Sequence, residues 1–145
     1  MADHLLLIVR LAGRRVALPA AEVEGVVELD GITPTPKAAA HVAGLSALRS
    51  RVLTVIDGLA ALEFGRSPVD GLAEAIVVIS GGHPYALLVE AVEDVVEINR
   101  AATPVRGRVG AGWDRVAAGM VEVEGSLLLL VDPHLLIAGP TAQAA

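Results

Sequence analysis

Few side chains in this sequence could do chemistry, and none is placed to do it. The four histidines are His4, His41, His83 and His134. No two stand at the i, i+4 spacing that puts a zinc pair on one helix face, and none has a cysteine or clustered carboxylates beside it. They read as surface histidines near turns; a metal centre would need convergence of distant segments. Ser46 lies in Gly44-Leu45-Ser46-Ala47-Leu48. A nucleophile elbow needs glycine where Leu48 stands, so that the chain can turn sharply from strand to helix. Ser46 therefore reads as a strand residue. Gly107-Arg108-Val109-Gly110-Ala111-Gly112 fits neither the dinucleotide fingerprint nor the P-loop, and no Lys-Ser/Thr pair follows it. It reads as a flexible loop, and no cofactor is expected.

The carboxylates are more regular. Glu24/Glu28 and Glu93/Glu97 are spaced alike, and residues four apart in a strand share a face. Paired carboxylates can do acid–base work, but their recurrence favours outward polar positions on half-buried strands. Asp57 and Asp132 each close an apolar strand, Val55-Ile56-Asp57 and Leu130-Val131-Asp132, where a short helix can begin. A helix cap explains both. Trp113, the single tryptophan, lies in a glycine-rich stretch. It could anchor a partner or tuck its loop onto the body of the protein.

The elements that carry these residues are written twice. Leu6–Pro36 echoes Ala75–Val105 at an offset of 69, with Val23-Glu24-Gly25-Val26-Val27-Glu28 falling on Val92-Glu93-Asp94-Val95-Val96-Glu97. The echo resumes at an offset of 75, where Gly44 meets Gly119, Val52-Leu53 meets Leu127-Leu128, and Asp57 meets Asp132. In the first copy, strands are predicted at Leu5–Leu11, Arg15–Leu18, Val23–Leu29, Gly44–Leu48 and Arg51–Ile56. Their punctuation is a Gly13 turn, a possible helical turn after Pro19 and an Arg49-Ser50 turn, with a short helix at 57–62. In the second copy they fall at Glu74–Ser80, Tyr85–Val89, Asp94–Ile98, Val116–Val123 and Ser126–Val131, with a helical turn from Asp132. Glu90–Glu93 takes the place of the first copy's helical turn. Phe64–Gly71 and the longer Ala101–Asp114 are loops, and Gly139–Ala145 is a frayed tail. Short strands at regular spacing with glycine turns give an all-β fold with short helical turns, a small barrel or sandwich in each copy. The 145 residues form one domain, with approximate halves 5–65 and 74–137, between which strands can be exchanged. One copy alone, at ~65 residues, would be marginal; two packed together share a core. The seam between them is the expected place for a binding site.

Composition narrows the class. Hydrophobic residues make up 54% of the chain and aromatic ones 2%, so the core is aliphatic. Charged residues, at 19%, are sparse, which implies either an apolar partner surface or efficient packing of small side chains. A net charge of −6, scattered arginines and few aromatics argue against nucleic-acid binding. Cysteine is absent, which fits a reducing compartment. Leu5–Val9 is too short for a secretory core, and no apolar run reaches membrane-spanning length, so a cytoplasmic location without membrane insertion is expected.

The run from Val42 to Asp57, then Phe64-Gly65, resembles the signature of the CheW-like domain family. That signature has a Val-x-Gly entry, an Asn-Leu-Arg-Gly hairpin, a Val-Ile-Asp strand end, and Phe-Gly soon after. Leu87–Val96 resembles the family's apolar strand and Val/acidic run. The likeness spans Leu5 to Leu136. It implies two five-stranded SH3-like barrels on a shared aliphatic core. It also implies a non-enzymatic chemotaxis adaptor that joins chemoreceptors to the histidine kinase CheA, recruited to receptor arrays at the inner face of the membrane. On that resemblance one face grips the C-terminal regulatory domain of CheA, and a groove between the barrels takes the helical tip of a receptor. Arg49 matches the hairpin arginine linked to coupling and Val23 an apolar receptor-facing position; with Gly25, Val26, Leu48 and Ser50 they form the expected partner-binding set. The motif's Asn is Ala47 here, its Gly is Ser50, and the acidic residue two after Val23 is Gly25. Ser50, at a turn position suited to positive φ, is expected to cost roughly 1 kcal/mol. Two other readings stay open: a CheW-like regulatory module of a different kinase pathway, and a small-ligand-binding β-barrel.

Overall fold

The computed structural model describes residues 5–68 and 71–140. His4, residues 69–70 of the expected 64–71 loop, and 141–145 of the expected tail lie outside the described residues. Four two-residue turns set the pattern. Ala12-Gly13, Gly81-Gly82 and Glu124-Gly125 have positive φ at both positions, the mirror-image turn whose twist matches that of paired strands. They join β1 (Leu5–Leu11) to β2 (Arg14–Pro19), β6 (Leu72–Ser80) to β7 (His83–Leu88), and β9 (Ala117–Val123) to β10 (Ser126–Val131). The fourth turn, Arg49-Ser50, joins β4 (Val42–Leu48) to β5 (Arg51–Asp57). Here positive φ falls on Arg49, at 59°, and not on Ser50. The strain expected at Ser50 therefore belongs to Arg49, because this turn turns left at its first residue.

The strands curl into two five-stranded sheets, in the orders β8-β1-β2-β10-β9 and β3-β6-β7-β5-β4, with β3 at Gly25–Asp30 and β8 at Ala91–Glu97. Exchanging the copies, β1 for β6 and so on, turns one order into the other. The register obeys the same exchange. Leu129 sits opposite Val16 in the parallel pair β10–β2, and Thr54 opposite Tyr85 in β5–β7, at the two sequence offsets. Each sheet therefore takes strands from both halves of the chain. Each is closed by a short bridge, Thr33 to Leu45 and Thr103 to Met120. Glycine is required beside these closures: a Cβ at Gly44 would overlap the Thr33 carbonyl, and one at Gly119 would lie 2.9 Å from the Thr103 oxygen.

The continuous apolar run of β1 now has its reason. Leu6 and Ile8 fill the interior of one barrel with Ala17, Val121 and Leu128; Leu7, Val9 and Leu11 face the other barrel across the seam. The second barrel is filled at equivalent positions by Ala75, Val77, Ala86 and Leu53, with buried Ser46 where Val121 stands in the first. A strand buried on both faces shows no polar alternation. The fold is thus the expected pair of SH3-like subdomains on an aliphatic core, with side chains packed through both interiors and the seam.

Some local expectations are corrected. Residues 101–114 are not loop throughout, because α2 (Ala111–Val116) forms at their end. Its glycines hide any helical periodicity; burial of Trp113 and Val116 in the seam holds it instead. A Cβ at Gly112 would overlap the Leu62 carbonyl, just past α1 (Gly58–Ala61). Glu90–Glu93 does not repeat the 3-10 turn seen at Ala20–Glu22: β8 starts at Ala91 and takes up its extra residue as a bulge. In the first copy Pro19 closes β2, and the chain makes its helical turn there before β3. Gly139, expected to open the tail, is buried and closes α3 (Pro133–Ala138) by donating to the Leu135 carbonyl.

Gly112→Ala should lower unfolding free energy by about 2 kcal/mol or more, because backbone must move. Gly107→Ala, which has open space but a φ of 73°, should cost about 1 kcal/mol. Urea unfolding of the two variants checks the ranking.

Candidate functional site

The residues with chemical potential are engaged in structure. Asp57 is buried and caps α1 by accepting from the Leu59 and Ala60 amides at 3.0 and 3.5 Å. It also accepts from the Ser67 amide and hydroxyl at 2.7 and 2.6 Å. Asp132 caps α3 through the His134 amide at 2.9 Å. Ser46 is a buried strand residue whose hydroxyl donates to the Gly31 carbonyl at 2.9 Å. His41 is not a surface histidine: its ring is buried, with Nε2 2.8 Å from the Ile137 carbonyl oxygen. It fills the space that the absent side chain of Gly139 leaves. The His134 ring links Ser80 Oγ, 2.9 Å from Nδ1, to Glu22 Oε1, 2.6 Å from Nε2. Among the described residues no three metal-ligating side chains cluster.

Trp113 takes the second of its two roles. It is buried in the seam, with the Arg14 guanidinium 5.3 Å above its ring and the Phe64 ring 6.3 Å away. Only one carboxylate pair shares a face as expected: Glu24 and Glu28 are exposed on either side of exposed Val26, whereas the bulge at Glu93 resets the alternation before Glu97. Glu93 instead meets Arg15 Nε at 2.6 Å and Arg10 Nη2 at 3.2 Å.

Five of the six residues expected to bind a partner, Gly25, Val26, Leu48, Arg49 and Ser50, line a groove of about 420 Å³ at the edge of one sheet. Its walls are the lead into edge strand β3, at Glu24, Gly25, Val26 and Val27, and the β4–β5 turn, at Leu48, Arg49, Ser50 and Arg51; Val77 of β6 completes the lining. The bridge at Thr33–Leu45 joins β3's continuation to β4 lower down, so the two edge strands part near the turn. This groove therefore lies within one sheet; a separate groove of about 380 Å³ opens between the two sheets, where Leu11 of β1 meets Leu72, Ala73 and Leu88 of β6 and β7. Val23 is not part of it: half-buried, it packs onto the seam core and donates its amide to the Ala20 carbonyl at 3.1 Å.

Electrostatics at the groove centre on a pair that sequence reading did not anticipate. Arg51 donates to Glu24 through both terminal nitrogens, at 2.6 and 3.5 Å. Those hydrogen bonds hold the Glu24 carboxyl below the usual carboxylate range, against the opposing effect of desolvation, and raise Arg51 in turn. Glu93 is lowered likewise, chiefly by its hydrogen bond from Arg15. Arg49 is exposed and makes no ion pair among the described residues.

The other sheet carries a twin groove of about 580 Å³, lined by residues 94–100 and 122–125. At the two sequence offsets Val95 stands for Val26, Glu124 for Arg49 and Gly125 for Ser50. Val26 and Val95 are both exposed, at 45% and 56%, as are Val52 and its equivalent Leu127, at 61% and 64%. The two grooves thus stand at equivalent places with an exposed valine in each, but carry opposite charge at the turn. Aligning the copies would have revealed this reversal.

A family model, the CheW-like domain, matches residues 5–140. Among solved structures, this chain is similar to the scaffolding protein TtCheW from Thermoanaerobacter tengcongensis. The likeness has a TM-score of 0.80 and 21% identity and covers 92% of each chain. No curated protein matches by sequence. No helix among the described residues is long and apolar enough to cross a membrane.

Carboxyl NMR titration should find Glu24 and Glu93 protonating below the ordinary carboxylate range, with Arg51→Gln returning Glu24 alone to it. A depressed folded-state value means that the stabilisation is present above the unfolded-state value and is lost as pH falls through the depressed one.

Proposed function

The chain belongs to the CheW-like domain family, and from that premise we propose that it is a non-catalytic chemotaxis adaptor coupling chemoreceptors to the histidine kinase CheA. The observation that supports this reading most is the pair of equivalent surface grooves with opposite charge at their turns. One scaffold then has two docking faces that different partners can tell apart. The Arg49 groove takes the helical tip of a receptor. Val26 and Leu48 meet its apolar side, and the Arg49 guanidinium pairs with a carboxylate. The acidic twin groove takes the C-terminal regulatory domain of CheA. Individual contacts can be weak, because an array at the inner face of the membrane raises effective concentration.

Arg49→Gly separates function from folding. Glycine at a φ of 59° relieves about 1 kcal/mol of backbone strain, so thermal stability should hold or rise. Loss of the charge-assisted hydrogen bonds should weaken binding of a receptor cytoplasmic-tip fragment about tenfold. Arg49→Ala should also lose more in binding than in stability. Calorimetry showing equal receptor affinity for wild type and both variants would overturn the assignment of the groove. In the twin groove, Glu124→Arg should weaken binding of the CheA regulatory domain and leave receptor affinity within about twofold; pull-down and calorimetry with the two partners read this out.

A further inference from the structure

Resting on the adaptor reading, we propose that Glu24 is a built-in competitor. Its carboxylate occupies Arg51 in place of a partner carboxylate and must leave when an acidic, apolar-flanked helical segment enters the groove.

Three observations carry this. Glu24 and Arg51 reach each other from opposite walls of the groove, one from the lead into β3 and the other from the first position of β5. Their contact therefore crosses the entrance that a partner would use. Secondly, both side chains remain about half exposed, at 47% and 46%. An exposed ion pair contributes little to folding and is screened by salt, so it can be exchanged for another of the same kind.

The third observation comes from the duplication, which supplies an internal control. In the twin groove Ser126 stands where Arg51 would be, and Glu93, the equivalent of Glu24, turns away to Arg10 and Arg15. That sheet has the same strand order and closes with the same kind of bridge. The Glu24–Arg51 contact is thus no requirement of the fold. The twin groove is crossed instead by a looser and more exposed pair, Arg100 Nη1 to Glu122 Oε1 at 3.6 Å, and is the wider of the two, at about 580 against 420 Å³.

Charge identifies the occupant. Arg49 and Arg51 place two guanidinium groups two residues apart on one turn, and Glu24 neutralises one of them. A partner carboxylate finds Arg49 at once and gains the fork of Arg51 when Glu24 swings into water. Exposed Val26 and half-buried Leu48 beside them require apolar neighbours on the same segment. The intramolecular contact lowers apparent affinity by the fraction of molecules in which Arg51 is free. Glu24 therefore sets how tightly the adaptor holds its acidic partner and makes that hold depend on ionic strength.

Calorimetry with the receptor-tip fragment tests this on wild type, Glu24→Gln, Glu24→Ala and Arg51→Gln. Both Glu24 variants should bind about three- to tenfold tighter than wild type at low salt. Their melting temperatures should stay close to that of wild type, and Arg51→Gln should bind more weakly. A receptor fragment whose tip carboxylates are changed to amides should show no gain with Glu24→Gln. If wild type binds and the Glu24 variants bind no tighter, the competitor is overturned while the adaptor stands. If no version binds the fragment, the receptor-coupling reading and the competitor fall together.

Discussion

Two parallel strand pairings, β2 with β10 and β5 with β7, hold the whole structure to one plan. Each joins a strand from one half of the chain to a strand from the other. Neither sheet exists without both halves, and the apolar faces of β1, β2, β6 and β7 have nowhere to go but into the two interiors and the seam. Everything exposed is positioned by that exchange. The strands β3, β4, β8 and β9 end the two sheet orders and part where their closures end. The grooves are the residue of an incomplete barrel closure.

That geometry explains why so little of the surface chemistry is catalytic in form. Carboxylates with acid–base potential are spent on helix starts, at Asp57 and Asp132, or on arginines, at Glu24 and Glu93. At each groove's turn stands a charge without an ion pair among the described residues, Arg49 in one and Glu124 in the other, beside matched exposed valines. On the proposed adaptor reading, a duplicated scaffold that inverts one charge between equivalent grooves gains two distinct addresses, and discrimination between partners rests on electrostatics, which sets specificity and encounter more than raw affinity.

The sequence carried the fold in its repeats. Turn glycines, paired aliphatic runs and the two Asp caps stood at constant offsets, and the strands formed where those signals placed them. Other features depended on tertiary context. α2 has three glycines in or near it and too few periodic residues to announce a helix; Trp113 makes it one by needing a buried place in the seam. The bulge at Glu93 cannot be read from alternation, because it is the register against β1 that demands it. At the groove, five of the six expected residues came together: Gly25, Val26, Leu48, Arg49 and Ser50 are local to one strand and one turn. Val23, two residues from Gly25, faces the core because the 3-10 turn rotates the chain just before β3. The Glu24–Arg51 contact spans 27 residues and depends on how nearly two edge strands meet, which no local pattern reports.

The strand order also bears on how the chain is made. The β1–β2 hairpin leaves the ribosome ahead of the other eight strands, yet its neighbours on either side are β8 and β10, among the last of them to be synthesised. Through most of translation it carries two open edges and two apolar faces, a state prone to pairing with other nascent chains. The charges of Arg10, Arg14 and Arg15 at its turn end are then its own protection, before Glu93 arrives to claim two of them. Assembly is therefore decided late and all at once, when the closing strands emerge.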